Sequence, residues 1–261
     1  MSCRRPGFSL VELVVVMAIV ALLLTILLPA LVTVRHMARS AVCLSHLQQI
    51  GDSFLMYLNA NHGHAPQGRQ DLTQLGWWEQ LQPYNGSIQS VMLCPEAIEP
   101  GNVLGSAITA WGPDRTFWVA APQWIMRSAY TGSYGINAWL QEPPGGDTAA
   151  TSPYWRLHAI HLPAKQAAAI PVFADCIMSF GAPLDTDTVP INLINPLPFY
   201  SGVGPKPAGP HGMMAYFCLD RHRLAVNAAF LDGHAQRVPL ADLWKLQWNS
   251  AFKPTDVQVP R

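Results

Sequence analysis

Charged side chains are scarce in this chain: Asp, Glu, Lys and Arg make up 12% of its 261 residues. The two signs are balanced, with 16 basic and 16 acidic residues and a formal net charge of zero. A nucleic-acid-binding protein concentrates positive charge to neutralise phosphates, so this composition disfavours a nucleic-acid partner. The 50% hydrophobic content is ample for a buried core and excludes a disordered chain.

The local motifs of common enzyme classes are also absent. The sequence contains no Ser/His/Asp order typical of hydrolases, no nucleophile elbow and no phosphate-binding loop. It contains no Cys-x-x-Cys pair, which disfavours a cysteine-based metal site. We therefore predict a protein that is not an enzyme, with a membrane-anchored, metal-dependent enzyme as an alternative.

Ionisable side chains are missing from Leu13 to Val34, a run of twenty-two residues. As a helix, such a run crosses a hydrocarbon core about 30 Å thick. A secretory signal has a shorter apolar core with a small-x-small cleavage site, and a lipoprotein signal has its cysteine after the core, whereas Cys3 precedes it. Two other interpretations fit this run better than either signal. It is an uncleaved membrane anchor, or a segment that stays on the mature protein after cleavage on its N-terminal side.

The stretch RRPGFSLVEL, residues 4–13, resembles the processing motif of type IV prepilins and type II secretion pseudopilins. The resemblance implies that a membrane-embedded prepilin peptidase cuts after Gly7, removes the leader 1–7 and methylates the new amino terminus at Phe8. Glu12 would become the fifth residue of the mature chain, where the family keeps a glutamate.

Glu12 needs a partner on physical grounds. A carboxylate deep in lipid costs on the order of 2.5 to 3.5 kcal/mol even on a lenient insertion scale. In the family, this glutamate pairs with the N-terminal amine of a neighbouring subunit, so we expect Glu12 to act in assembly. The alternative is a glutamate that rests at the membrane interface without a role.

The N-terminal helix is expected to continue past the apolar run. Its apolar positions recur at three- and four-residue spacing: Cys43, Leu44, Leu47, Ile50, Phe54, Leu55 and Leu58. Helix breakers and cap formers in NANHGHAP, residues 59–66, predict its end. We predict a transmembrane half, 8–34, and an amphipathic half, 35–61. Pro29, where many family members have a proline, should bend the helix because it removes a backbone donor.

Beyond residue 62 the chain consists of short apolar runs separated by Gly and Pro. The runs read as strands are VMLCP (91–95), HAIHL (158–162), AAIPVFAD (168–175), MMAYF (213–217) and AVNAAFLDGHAQRV (225–238). Asp232-Gly233 predicts a two-residue hairpin turn, and the Pro/Gly-rich stretch 181–212 predicts a surface excursion. The predicted fold is α+β: a long N-terminal helix packed on an antiparallel sheet in a pilin-like head, 62–261.

Four cysteines follow the apolar run: Cys43, Cys94, Cys176 and Cys218. A Cys43–Cys94 disulfide would tie the head to the helix and leave Cys176 and Cys218 as a second pair, while four buried thiols are the alternative. Arginines flank the run nearly equally, so the positive-inside rule does not fix its orientation. An extracytoplasmic head on a single-pass protein of the cytoplasmic (inner) membrane therefore rests on the resemblance and the cysteines.

A second resemblance lies near the C-terminus. Nine residues separate His222 from Asp232-Gly233, which resembles the H-x9-DG signature of a large pilin-like subfamily, as do AVCLSHLQQIG, LCP and SYGIN. Members usually have small or Gly-rich residues after this histidine, whereas RLAV follows it here. We expect Asp232 to make the turn and His222 to bond nearby backbone. His211, His222, Asp232 and His234 are weaker candidates for a transition-metal site, because an extended strand would separate them.

A calcium site and an aromatic binding face are two further expectations. Asp185-Thr186-Asp187 is a candidate Ca²⁺ loop only because some pseudopilins bind calcium. All nine tryptophans follow the apolar run, and exposed ones would offer a glycan-binding or protein-binding face. No cofactor is required by the main interpretation.

The sequence thus predicts a structural subunit of a type IV pilus or type II secretion pseudopilus. A head of roughly 200 residues is large for a major subunit, which favours a minor or specialised one. The expected partners are the prepilin peptidase/methyltransferase, other pilin-like subunits and a membrane assembly platform. A membrane-anchored enzyme or glycan-binding module is the alternative.

Overall fold

The computed structural model describes residues 10–68, 76–97, 99–100, 105–112, 131–142, 163–196 and 212–260. Its helices are α1 (Leu10–Ala60), α2 (Trp77–Asn85), α3 (Ile88–Val91) and α4 (Ala164–Ala167). Its strands are β1 (Glu99–Pro100), β2 (Thr109–Ala110), β3 (Tyr134–Asn137), β4 (Pro171–Asp175), β5 (Phe180–Gly181), β6 (Ala225–Phe230) and β7 (Ala235–Pro239). Short 3-10 helices include Ala138–Leu140, Met213–Tyr216 and Leu240–Lys245.

The chain divides into two compact units, Met1–Ala38 and Arg39–Arg261. In the first unit, all described side chains up to Val32 are exposed, although most of them are apolar. Helix α1 is long and apolar enough to cross a membrane, judged by length and composition. Pro29 lies within this helix, and the Thr33 hydroxyl donates to the Pro29 carbonyl at 3.2 Å. The predicted bend and the predicted domain limits stay predictions.

The second unit contains the C-terminal part of α1. Its buried side chains follow the predicted stripe: Cys43, Leu47, Ile50 and Phe54, together with Gly51 and Ser53. The helix ends within the predicted breaker stretch, where His62 and Gly63 adopt positive φ values of 55° and 86°. The Gly63 amide then donates to the Leu58 carbonyl at 2.7 Å. This bond satisfies one of the carbonyls that the helix end leaves open.

A five-stranded sheet in the order β5-β3-β4-β6-β7 forms the centre of the second unit. The pairs β3–β4, β4–β6 and β6–β7 are antiparallel, which confirms the α+β prediction. The pair β3–β5 is parallel, so the sheet is mixed and not purely antiparallel. The sheet is mixed because the chain reverses direction after β4 and β5 then pairs with the edge of β3 that β4 does not occupy.

Hydrophobic residues pack on both faces of this sheet. One cluster joins α1 and α2 to the sheet through residues such as Phe54, Trp77 and Phe173. The other cluster contains Phe217, Trp244 and further residues of the 3-10 helices and β6. All residues of β4 and β6 are buried, because these central strands are covered on both sides.

Several strand predictions need correction. Residues 91–95 form the end of α3 and a turn, and residues 213–217 are mostly 3-10 helix. Short apolar runs do not distinguish a strand from another buried segment. The run 168–175 and the hairpin 225–238 contain strands as predicted, while 158–162 and the part 197–211 of the Pro/Gly-rich stretch lie outside the described residues.

Candidate functional site: the N-terminal motif and a buried cysteine, histidine and aspartate cluster

Glu12 lies in the first turn of α1, and its side chain is exposed. A negative charge at this end of a helix is favoured by the helix dipole. Gly7 and Phe8, the predicted cleavage and methylation residues, lie outside the described residues. The N-terminal half of the helix therefore carries one acid at the start of an otherwise apolar surface.

The Asp232-Gly233 end of the C-terminal signature forms the turn between β6 and β7. The Gly233 amide donates to the Phe230 carbonyl at 3.0 Å, and Gly233 has a φ of 94° that favours glycine. Asp232 accepts from the His234 amide at 3.2 Å, and hydrogen bonds from His234 outweigh burial and lower the Asp232 pKa. Asp232 thus makes the turn as expected, but four residues separate the strands where two were predicted.

This turn packs against α1. The Gln48 side chain donates to the Gly233 carbonyl and, at 3.0 Å, to Asp52. A Cβ atom on Gly233 would lie 3.1 Å from Leu55, and one on Gly51 would lie 3.2 Å from the Cβ of Ala229 in β6. Glycines at these contacts let the strand and the helix approach closely.

The histidine end of the signature belongs to a buried cluster of four side chains: Cys43, Cys94, Asp175 and His222. The Cys43 sulfur lies 3.6 Å from Asp175 Oδ1, and the Cys94 sulfur lies 3.5 Å from His222 Nε2. His222 Nε2 lies 3.2 Å from Asp175 Oδ2. All four ligand-type atoms lie within 4.8 Å of one another. Thiol, imidazole and carboxylate are the groups with which proteins bind transition metals.

The four side chains come from distant parts of the sequence. Cys43 lies on the buried face of α1, and Cys94 follows α3. Asp175 is the last residue of β4, and His222 precedes β6, where its amide donates to the Ala225 carbonyl at 3.0 Å. The neighbouring strands β4 and β6 and the packing of α1 on β6 bring these residues together.

Arg221 holds Asp175 in this cluster. Its Nη1 donates to Asp175 Oδ1 at 2.9 Å and to the Ser133 carbonyl at 2.6 Å, and both charged side chains are fully buried. The Asn227 amide donates to Asp175 Oδ2 at 2.8 Å. Arg221 also donates to the Ser106 and Ala107 carbonyls, at 2.8 and 3.2 Å. These bonds replace the water that the carboxylate and the guanidinium lose on burial.

Charges within the cluster shift its pKa values. Burial alone would raise the pKa of Asp175, but His222 and Arg221 lower it to about 2. Burial would lower the pKa of His222, but Asp175 raises it to about 10. Burial raises the pKa of Cys43, whereas hydrogen bonds with Cys43 and His222 outweigh burial and lower the pKa of Cys94 to about 6. Of the two thiols in the cluster, that of Cys94 is therefore deprotonated at the lower pH.

Two buried polar atoms beside the cluster have no hydrogen-bond partner among the described residues. They are Ser133 Oγ and Asn227 Oδ1, whereas the Tyr134 hydroxyl interacts with the Cys43 side chain. The backbone groups of Ser133 and Asn227 bond the Arg221–Asp175 pair. Such atoms are rare in native interiors.

The two residues after His222 adopt a left-handed backbone conformation. Arg223 and Leu224 have positive φ values of 58° and 55°, which favour glycine. Arg237 donates to the His222 and Arg223 carbonyls, both at 2.9 Å, and the Leu224 amide bonds Asp220 at 2.5 Å. The chain therefore adopts a Gly-type conformation with non-glycine residues, and these bonds hold it in place.

The predicted metal set does not converge. His222 and the Asp232–His234 pair lie at opposite ends of β6, whose six residues span about 20 Å. His211 lies outside the described residues. The His222 amide bonds the Ala225 carbonyl, as expected of a residue that bonds nearby backbone, while its imidazole contacts the Cys94 and Asp175 side chains. Sequence reasoning missed Asp175 and Arg221. Asp175 is an isolated charge at the end of an apolar run, whereas Arg221 lies in the charged run 220–223 and carries no signal of its own.

The remaining sequence candidates are located as follows. All four described cysteines are free and buried, and burial raises the pKa of Cys176 and of Cys218 to about 12.

Asp187 accepts from the Leu184 and Met214 amides at 3.0 and 2.9 Å, and the Ca²⁺ loop stays a prediction. Among the described tryptophans, Trp77, Trp78, Trp111, Trp244 and Trp248 are buried and Trp139 is half-buried. These six therefore offer no exposed stacking face.

Together, the apolar N-terminal helix and the α+β head define a pilin-like architecture. The sequence model of the prokaryotic N-terminal methylation motif matches residues 3–28, which include Gly7, Phe8 and Glu12. This match supports a type IV pilin-like protein that is anchored in a membrane. No curated protein and no solved structure matches the chain.

Proposed function

We propose that this chain is a minor or specialised pilin-like subunit of a type IV pilus or a type II secretion pseudopilus. A prepilin peptidase cuts after Gly7 and methylates Phe8, and the mature subunit waits in the cytoplasmic membrane with its head outside the cytoplasm. It then joins other pilin-like subunits at a membrane assembly platform. The observation that carries the proposal is the methylation motif at the start of an exposed apolar helix.

The exposed apolar side chains of α1 support assembly through this helix. From Leu10 to Val32 they have no cover within the described part of the chain, so they require lipid or the helices of neighbouring subunits. Glu12 is costly in lipid, and pairing with the amine of a neighbour's Phe8 neutralises both charges. The two charges meet only on assembly, which sets the stagger between subunits.

The cleavage step is tested by replacing Gly7 with leucine. We expect Gly7→Leu to leave a full-length precursor on an immunoblot, because the peptidase requires a small residue at the cut. Ser2→Leu, which changes the same leader away from the cut, serves as the matched control and should be processed normally. Normal processing of Gly7→Leu would refute the assignment.

A further inference from the structure

We infer that Cys43, Cys94, Asp175 and His222 bind one Zn²⁺ ion as a closed structural site that fastens α1 to the head. No part of this inference depends on pilus assembly. It rests on the positions of the four ligand atoms, on their burial and on the charge beside them.

The atomic spacing agrees with tetrahedral zinc. With Zn–S bonds of about 2.3 Å and Zn–N or Zn–O bonds of about 2.0–2.1 Å, a tetrahedron separates sulfur from nitrogen or oxygen by about 3.5 Å and nitrogen from oxygen by about 3.3 Å. With Asp175 Oδ2 as the carboxylate ligand, the corresponding distances are 3.5 Å for Cys94–His222, 3.8 Å for Cys43–Asp175 and 3.2 Å for His222–Asp175. These three distances are close to the tetrahedral values, and all four ligand atoms lie within 4.8 Å of one another.

The donor set favours zinc over harder cations. Two thiolates and an imidazole suit borderline-soft ions, whereas Ca²⁺ and Mg²⁺ require a shell of oxygens. Asp175 is oriented by Arg221 and the Asn227 amide, as carboxylate ligands usually are. The negative charges of two thiolates and one carboxylate balance Zn²⁺ and the Arg221 guanidinium, so the filled site is neutral in a fully buried place.

Burial of all four ligands points to a structural and not a catalytic ion. A catalytic zinc keeps a position open for water or substrate, whereas a structural zinc is enclosed by four protein ligands. The ligands come from α1, from the segment after α3, from β4 and from the segment before β6. A bound ion would join the amphipathic part of α1 to both central strands of the head.

The first test is the metal content of the full-length protein, purified in mild detergent with a non-chelating reductant. We expect one Zn²⁺ per chain by elemental analysis. Cys94→Ser should weaken zinc binding at least about 100-fold, because it removes a direct ligand. Cys218→Ser changes a buried cysteine outside the cluster, and this matched control should retain the ion. Equal zinc content in Cys94→Ser and the wild type would overturn the site.

The second test uses Co²⁺ as a spectroscopic probe and needs no variant. Titration of the reduced wild-type chain should produce a thiolate-to-cobalt charge-transfer band and the intense visible bands of tetrahedral Co²⁺, saturating at one ion per chain. Zn²⁺ should then displace Co²⁺ and abolish these bands. If the reduced chain shows no such bands and retains no zinc, the proposal fails, and a Cys43–Cys94 disulfide in the unreduced protein would become the better interpretation of the pair.

Discussion

Arg221 is the side chain on which the buried site depends most. It donates to Asp175 and to three backbone carbonyls, so it satisfies acceptors that no water reaches. Its role was not predictable from the sequence, because Asp175 lies 46 positions away and only the pairing of β4 with β6 makes them neighbours. His222 was found by its spacing from Asp232-Gly233, but the same spacing suggested the wrong companions for it.

Replacing Arg221 with methionine should lower the free energy of unfolding by about 3–5 kcal/mol, because it removes a buried ion-pair partner of Asp175 and the donors to three backbone carbonyls. Urea unfolding of the full-length chain in mild detergent, followed by tryptophan fluorescence, measures this change. Arg39→Met is the control: the Arg39 side chain is 45% exposed and pairs with Glu96 at 3.4 Å, so its loss should cost less than about 1 kcal/mol. Equal effects of the two substitutions would contradict this account of Arg221.

Arg223 provides a test of backbone strain. Its φ of 58° costs an L-residue about 1–2 kcal/mol, which a glycine avoids. Arg223→Gly should therefore be more stable than Arg223→Ala by about 1 kcal/mol in the same unfolding assay. Both variants lose the arginine side chain, so their difference isolates the backbone. A glycine variant that is less stable than the alanine variant would show that position 223 is not strained.

Helix α1 and the β6–β7 hairpin were the elements that the sequence predicted best. Helical spacing and a cluster of breakers fixed the buried stripe and the helix end, because both signals are local. The strands predicted at 91–95 and 213–217 were wrong, because short apolar runs are buried in several conformations. The parallel strand β5 has two residues and no sequence pattern of its own.

Gly51 tests how closely α1 approaches β6. A Cβ atom there would lie 3.2 Å from that of Ala229, so a larger side chain has no room. Gly51→Leu should lower the free energy of unfolding by about 1–3 kcal/mol through overpacking. Ser45→Leu places the same side chain on an exposed position of the same helix and should stay within about 0.5 kcal/mol of the wild type. A neutral Gly51→Leu would contradict the packing of α1 on β6.

The chain as a whole combines an uncovered apolar segment with a well-packed head. The sequence was sufficient to predict the apolar segment, because a membrane-spanning helix is recognised from its composition and its length along the chain. The buried cluster was not predictable, because the absence of Cys-x-x-Cys argued against cysteine ligands while Cys43 and Cys94 meet only in the folded chain. Local motifs therefore support a pilin-like protein, and tertiary contacts bring together the buried cluster in its head.

Assembly should depend on the Glu12 charge. Glu12→Gln should be processed and inserted normally but should yield much less sedimentable filament, because the amide does not neutralise a neighbouring amine. Thr25→Val alters another polar residue of the same helix and should assemble as the wild type does. Thr25 donates to the Leu22 carbonyl within its own helix, so its loss leaves the apolar surface intact. Filament yields of Glu12→Gln equal to those of the wild type would refute the pairing.

The first residue of the protein purified from its native membrane tests the central claim most directly. Mass spectrometry of the N-terminal peptide should find Phe8 as the first residue, carrying one methyl group on its amine. The apolar helix should remain attached to the head in the same molecule. A chain that begins at Met1, or at any residue beyond Val34, would contradict processing of this helix as a pilin-like subunit.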